Sequence, residues 1–491
     1  MRSSGILLHI SSLPSSGGIG TLGPEAYAFA DFLQASGMRI WQVLPVGPTG
    51  YGESPYQSSS VYAGNPLFIS CDRLREEGLL RYDNSEEFVP EDPEKVDYEA
   101  VRANKEMLLR RCYEHSRDAL AGQIGEFVRN NPWVNDFALF TALKRRFNGV
   151  KWTDWPDADI RFRKPEALDR YRRELADEVD YHIFCQYLFR RQWFSLKKYC
   201  NDRSLLLFGD MPIYVAEDSA DTWTHPEIFQ LDKNLIPKRV AGVPPDYFCE
   251  DGQLWGNPLY RWTYLRFCRK FDWWVERMKG MAKLYDMIRI DHFIGFANYY
   301  SVKNGMPNAR NGKWVIGPGK SLFRRLGREL PGIRIIAEDL GCVNRRVQRL
   351  LRWCGYPGMK VLTFGFDSDE SNPHFIGCYE KNTVAYTGTH DNDTTLGWAE
   401  KASPQALAFA EKTLGFSGAS EAPDAFIRTL FKSPCDTVIV PMQDILGLGS
   451  PARMNYPGST GGNWLWRMKP DQLSLELSMK YYRLNRETER G

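Results

Sequence analysis

The stretch Ile333–Gly341, IRIIAEDLG, sets four apolar residues around one arginine and then turns acidic. So short an apolar run, closed by polar residues, reads as a buried parallel strand. A helix follows it: Asn344 stands as N-cap to a stripe of Val347, Leu350, Leu351 and Cys354, and Gly355 ends the segment. Seven other runs have the same form: Ile6–Ile10, Arg39–Val46, Leu205–Val215, Met287–Phe293, Lys360–Phe366, Thr383–Thr387 and Thr437–Ile445. After the first, Pro24 opens a helix that carries Tyr27, Phe29, Phe32 and Leu33 and closes at Gly37; Ser403-Pro404 to Gly415 repeats the pattern. Eight strands alternating with helices predict a (β/α)8 TIM barrel, ahead of an open doubly wound sheet.

The spacing is uneven. About 160 residues separate the second and third strands, which predicts a mostly helical insertion over 49–203. A second insertion, 216–284, separates the third and fourth. Both leave from the C-terminal ends of strands, where barrel active sites are built, so residues 1–491 read as one barrel with inserted subdomains. Hydrophobic residues at 43% and charged residues at 25% exclude a disordered, collagenous or membrane chain. A net charge of +2 with no long basic run argues against nucleic acid as a partner. Aromatics at 13%, with 15 Trp, exceed the needs of a core and point to flat ligand faces, sugar rings or nucleobases. Ten cysteines without a CxxC pair give neither a disulfide framework nor a zinc site, and no HExxH occurs, so neither metal nor cofactor is expected. Ile6-Leu7-Leu8 is too short for a signal-peptide core, and a cytoplasmic protein is expected.

Gly18-Ile19-Gly20-Thr21-Leu22-Gly23 fits the GxGxxG pattern but lies about eight residues beyond its strand, and the second strand ends Leu44-Pro45-Val46 without an acid for a ribose. It reads as a Gly-rich rim of the barrel mouth. The stronger signal is an acid at the ends of three strands: Asp291 in RIDHF, Glu338 in IIAEDLG and Asp391 in YTGTHDN. Each alone reads equally as a helix cap or a structural ion pair; three on one face of one barrel read as a site. Arg289, two residues before Asp291, lies on the same side of its strand, either as a structural salt bridge or to hold a nucleophile ionised. A nucleophile, an acid/base and a third carboxylate are the equipment of a retaining glycosidase.

Taken together, these residues resemble the amylomaltases, or 4-α-glucanotransferases (disproportionating enzymes), of the α-amylase clan. The likeness is carried by HISSLP (9–14), WQVLPVGPTGYGESPYQS (41–58), GDMPIYVAEDSA (209–220), AGVPPDYFCEDGQLWGNPLY (241–260), RIDHF (289–293), AEDLG (337–341), TGTHDNDTTLGW (387–398), ARMNYPG and NWLWR (452–467). The resemblance implies Asp291 as nucleophile, Glu338 as general acid/base and Asp391 as transition-state stabiliser. It implies Arg289 and His390 at the attacked sugar, with Tyr56 and Asp210 nearby, and Tyr247, Phe248 and Trp255 on a loop over the glucan groove. Tyr51 matches a tyrosine of a secondary glucan site. Trp464 and Trp466 read as packing for the chain end. The implied activity is transfer of an α-1,4-glucan segment to the 4-hydroxyl of an acceptor glucose or glucan, with maltooligosaccharides as substrates, in the cytoplasm or, after loss of a transit peptide, a plastid stroma. A hydrolase that uses the same carboxylates and a glucan-binding protein without activity are the rival readings.

Overall fold

The computed structural model describes residues 2–81, 88–245, 250–341, 343–459 and 461–491. Its strands are β1 (Ser3–Leu7), β2 (Ile40–Gln42), β3 (Leu206–Pro212), β4 (Arg239–Val243), β5 (Gln253–Pro258), β6 (Met287–Asp291), β7 (Asn298–Lys303), β8 (Lys313–Ile316), β9 (Arg334–Ala337), β10 (Gly358–Val361), β11 (Thr383–Tyr386) and β12 (Thr437–Pro441). Eight of them form one sheet in the order β10-β11-β12-β1-β2-β3-β6-β9, with every ladder parallel. The two ends of that sheet meet: the Ala337 amide donates to the Pro357 carbonyl at 2.9 Å, and the Met359 amide donates to Asp339 Oδ1 at 2.8 Å. The result is the (β/α)8 barrel.

Both faces of these strands are covered, hence their near-continuous apolar composition. In β1 even a methyl group is excluded at Gly5, because a Cβ there would lie 2.3 Å from the Ile40 carbonyl oxygen across the β1–β2 ladder. The helix after β9 runs Arg345–Cys354, its first turn capped by Asn344 Oδ1, which accepts from the Arg346 and Val347 amides, and its end set by Gly355 in the left-handed region at φ 71°. Several apolar runs outlast their strands. After β10, Leu362–Phe366 makes a 3-10 turn, and after β12, Met442–Ile445 makes a helical turn just past Pro441, which has no amide to donate. These turns are as buried as the strands, and an apolar run alone does not separate the two.

Between β2 and β3 stand the helices Cys71–Glu76, Tyr98–Asn130, Trp133–Arg146, Pro165–Glu174 and Ala176–Asp202. The last of these puts Phe184, Leu188, Trp193 and Leu196 into the main core and leads into β3, so the barrel's own crossover helix lies inside 49–203. A separate apolar cluster of Phe137, Phe140, Trp152, Trp155 and Trp223 sits beneath the intervening helices. A second sheet, antiparallel in the order β5-β4-β7-β8, is assembled from both sides of β6. Its β7–β8 half, between the fourth and fifth barrel strands, is an excursion beyond the two insertions expected.

Candidate active site

Asp210 on β3 and Arg289 on β6 are partners across the ladder, and the alternation of side chains puts Asp291 on the same side of β6 as Arg289. Arg289 divides its guanidinium between two carboxylates: Nη1 meets Asp210 Oδ2 at 2.5 Å, and Nη2 meets Asp291 Oδ1 at 2.9 Å. Tyr56 Oη donates to the same Asp210 oxygen at 2.8 Å. Asp210 and Arg289 are deeply buried, whereas the Asp291 side chain keeps 27% of its surface and faces the groove. Burial opposes the charge on Arg289, but Asp210 and Asp291 outweigh it and raise its pKa, so the guanidinium stays charged. Burial likewise raises the pKa of Asp210 against the pull of Arg289. Asp210→Ala is expected to destabilise the fold by about 3 kcal/mol, at the low end for a broken buried pair because Asp291 still faces the guanidinium. Denaturant unfolding of the two proteins measures this.

Glu338, just past β9, is buried and accepts two backbone amides: His292 to Oε2 at 2.7 Å and Leu340 to Oε1 at 2.8 Å. Burial pushes its pKa up to about 8, helped by Asp291 and opposed by Arg289 and the two amides. A carboxyl that is protonated at neutral pH can donate a proton to a leaving oxygen. The amide of His292 points at Glu338 directly after the strand ends, where His292 takes the left-handed region, φ 51°. Any step that needs Glu338 as an acid is therefore expected to lose rate as pH rises through about 8, which a pH profile of kcat at saturating donor measures.

Asp391 follows β11 and His390. Its Oδ1 accepts from Asn455 Nδ2 at 2.6 Å, its carbonyl accepts from Arg453 Nη2 at 2.6 Å, and the His390 Nε2 lies 3.4 Å from its Oδ2. Asn455 also donates its amide to the His390 carbonyl, at 3.1 Å. The His390 ring stacks on Tyr56 with centroids 5.1 Å apart, and Trp464 tilts against both rings at 5.9 Å. Asp391, His390, Asn455, Tyr56 and Trp464 line one groove of about 890 Å³, together with Trp255, Tyr214, His292, Trp314 and Tyr456.

The family description "4-alpha-glucanotransferase" matches residues 8–474. The chain belongs to the 4-alpha-glucanotransferase family. It is 46% identical to a 4-alpha-glucanotransferase of Synechocystis sp. over 485 residues, 97% of this chain and 96% of the other, and 44% identical to one of Clostridium butyricum, 98% and 99%. In fold it is similar to the amylomaltase of Streptococcus agalactiae, solved in complex with acarbose, at a TM-score of 0.98 and 40% identity over all of both chains.

On this glucanotransferase fold the groove brings together Asp291, Glu338, Asp391, Arg289, His390 and Tyr56, with Trp255 on β5. Asp210 stands behind Arg289, and Tyr51, 79% exposed, is at the groove's rim. Tyr247 and Phe248 lie outside the described residues. Trp464, expected only to pack the chain end, is buried but also lines the groove, with a left-handed φ of 65° that bulky residues rarely adopt. His292, Asn455 and Arg453 carry no mark of their own beyond sitting inside long motifs. Among the described residues no group of three or more His, Cys, Asp or Glu is arranged to hold a metal ion, and no helix is long and apolar enough to cross a membrane.

Proposed function

We propose that the groove carries out glucan transfer by double displacement. Glu338, as an acid, gives its proton to the glycosidic oxygen of an α-1,4-glucan while Asp291 attacks the anomeric carbon; the C–O bond to the leaving sugar breaks and a β-linked glycosyl-enzyme forms. Glu338, now a carboxylate, takes the proton of an acceptor's 4-hydroxyl, whose oxygen displaces Asp291. Two inversions give retention. Asp391, braced by Asn455, faces the positive charge that develops on the distorted sugar, so its attraction is greater in the transition state than in the ground state. Arg289, His390 and Tyr56 bound the site of the attacked sugar, with Asp210 holding Arg289. Trp255, with Tyr247 and Phe248, is assigned to the acceptor and Tyr51 to a secondary glucan contact.

The observation that carries this reading is the contrast between two carboxyls of one groove: Asp291 part-exposed and paired with a buried guanidinium, Glu338 buried and held by two backbone amides, a setting that pushes its pKa up. Maltooligosaccharides and longer α-1,4-glucans are the proposed substrates, consistent with acarbose in the Streptococcus agalactiae relative. The buried Cys112, Cys185, Cys200 and Cys435 are free thiols, which fits a reducing compartment such as the cytoplasm or a plastid stroma. Incubation with maltotriose tests the reaction. Transfer releases glucose and builds longer chains at constant reducing ends; a rise in reducing ends means hydrolysis, and no change in either means binding alone.

A further inference from the structure

His292 touches two parts of the site through two different parts of itself. Its backbone amide donates to Glu338 Oε2 at 2.7 Å, while its ring meets the Trp255 indole edge to face at 4.8 Å and 87°. The stitching around it is dense: the Glu338 amide donates to the Ile290 carbonyl, the Phe293 amide donates to the Glu338 carbonyl, and the Gly295 amide donates to the His292 carbonyl, each at 3.0 Å. The ring itself is only 8% exposed, and its Nε2 is buried without a hydrogen-bond partner among the described residues. Gly295 provides its seat, since a Cβ there would come within 3.2 Å of the His292 ring. Burial lowers the imidazole pKa to about 4, so the ring is neutral at the pH where Glu338 works.

A left-handed backbone costs a non-glycine residue of order 1–3 kcal/mol and persists where its surroundings over-determine it. Here it bends the chain sharply at the end of β6, so that one amide leaves the ladder and turns to the acid/base.

We propose that His292 is a two-sided positioning residue, its left-handed backbone aiming the amide that orients Glu338 and its ring bracing Trp255, so that one residue sets the acid/base and the acceptor platform together. This rests on the roles given to Glu338 and Trp255 above. The two halves are separable by residue type. Glycine accepts the left-handed region freely and asparagine at little cost, so both keep the amide in place while losing the ring; valine is disfavoured there and pulls the amide away.

The experiment compares turnover of maltotriose, whose leaving sugar needs the Glu338 proton, with first-turnover release of fluoride from α-maltotriosyl fluoride, whose leaving group does not. In His292→Val the maltotriose-to-fluoride ratio is expected to fall about 100-fold, the effect of displacing a catalytic group by about 1 Å. In His292→Gly and His292→Asn it is expected to fall at most about threefold, because the amide remains. First-turnover fluoride release reports that each variant is folded, and the glycine and asparagine variants decide the matter if valine does not fold: a loss in both as large as that of Glu338→Gln overturns the backbone role. An unchanged ratio in His292→Val overturns it too.

For the ring, His292→Gly and Trp255→Ala are each expected to raise hydrolysis relative to transfer, with no further rise when they are combined. A glycine variant that transfers as wild type does, beside a Trp255→Ala that hydrolyses, overturns the bracing. If Trp255→Ala is also without effect, the acceptor role of Trp255 falls and the ring half falls with it. Wild-type enzyme that turns over the fluoride but only hydrolyses maltotriose overturns the transfer reading and leaves the backbone comparison readable.

Discussion

Asp291→Asn is expected to lower transfer from maltotriose at least about 10⁴-fold, about 5 kcal/mol of transition-state free energy. The substitution keeps shape and volume but replaces an anionic nucleophile with an amide that does not form the glycosyl ester. The fold should tolerate it. Arg289 keeps Asp210 at 2.5 Å, and the partial exposure of Asp291 limits the lost ion pair to about 1 kcal/mol. Initial rates of glucose release, read beside a thermal melt, separate the two effects. A folded variant with activity within tenfold of wild type would mean that another group attacks the sugar, and the assignment of Asp291 would be abandoned; the tenfold margin corresponds to about 1.4 kcal/mol.

Glu338→Gln is expected to cut turnover of maltotriose by about 10²–10⁴-fold while sparing attack on a glycosyl fluoride. The acid is needed only when the leaving oxygen needs a proton. With the fluoride the first step proceeds, but no carboxylate remains to activate an acceptor, so the intermediate accumulates as added mass on the intact protein, at Asp291. Stability should also move, because Glu338 offers an oxygen to each of two amides, His292 and Leu340. Glutamine has one oxygen and must face the other amide with its NH₂, which costs about 1–3 kcal/mol for a buried donor left without an acceptor. A peptide labelled anywhere but Asp291 would show that the roles of these two carboxylates had been exchanged or misassigned.

Asp291 and Glu338 are legible because a charged residue directly after an apolar strand is poorly placed for packing and well placed at a barrel mouth. Arg289 follows from a period of two. Asp210 is different: inside LLFGDMP it is an acid within a buried strand, and only the resemblance marks it, since its reason is a guanidinium on the neighbouring strand. Asn455 stands 64 residues from the carboxylate it braces, and no local pattern announces such a pairing. His292 acts through a φ angle and an amide, properties every residue type shares. Trp464 is buried as the packing of a chain end would have it, yet the same ring borders His390 and Tyr56, and composition does not distinguish a core wall from a groove wall. The strand β8 is illegible for a simpler reason: KWVI is four residues long and mostly exposed, too short to show a period.

The barrel is not equally bonded all the way round. β6 is laddered on both sides, to β3 as far as Asp291, the proposed nucleophile, and to β9 as far as Ile290. β9 is laddered only to β6; towards β10 it is joined by the Ala337 amide and, just beyond it, by the Asp339 carboxylate. The most sparsely bonded closure of the barrel thus lies beside Glu338, on the side away from Asp291. The division suits the chemistry. A nucleophile that makes and breaks a covalent bond is sensitive to fractions of an ångström, whereas a proton passes across any oxygen-to-oxygen separation within the hydrogen-bonding range of about 2.6–3.2 Å. The barrel's sparsest closure thus lies beside the group assigned to pass the proton, and what holds that carboxyl in reach of the departing and the arriving oxygen is the pair of amides from His292 and Leu340.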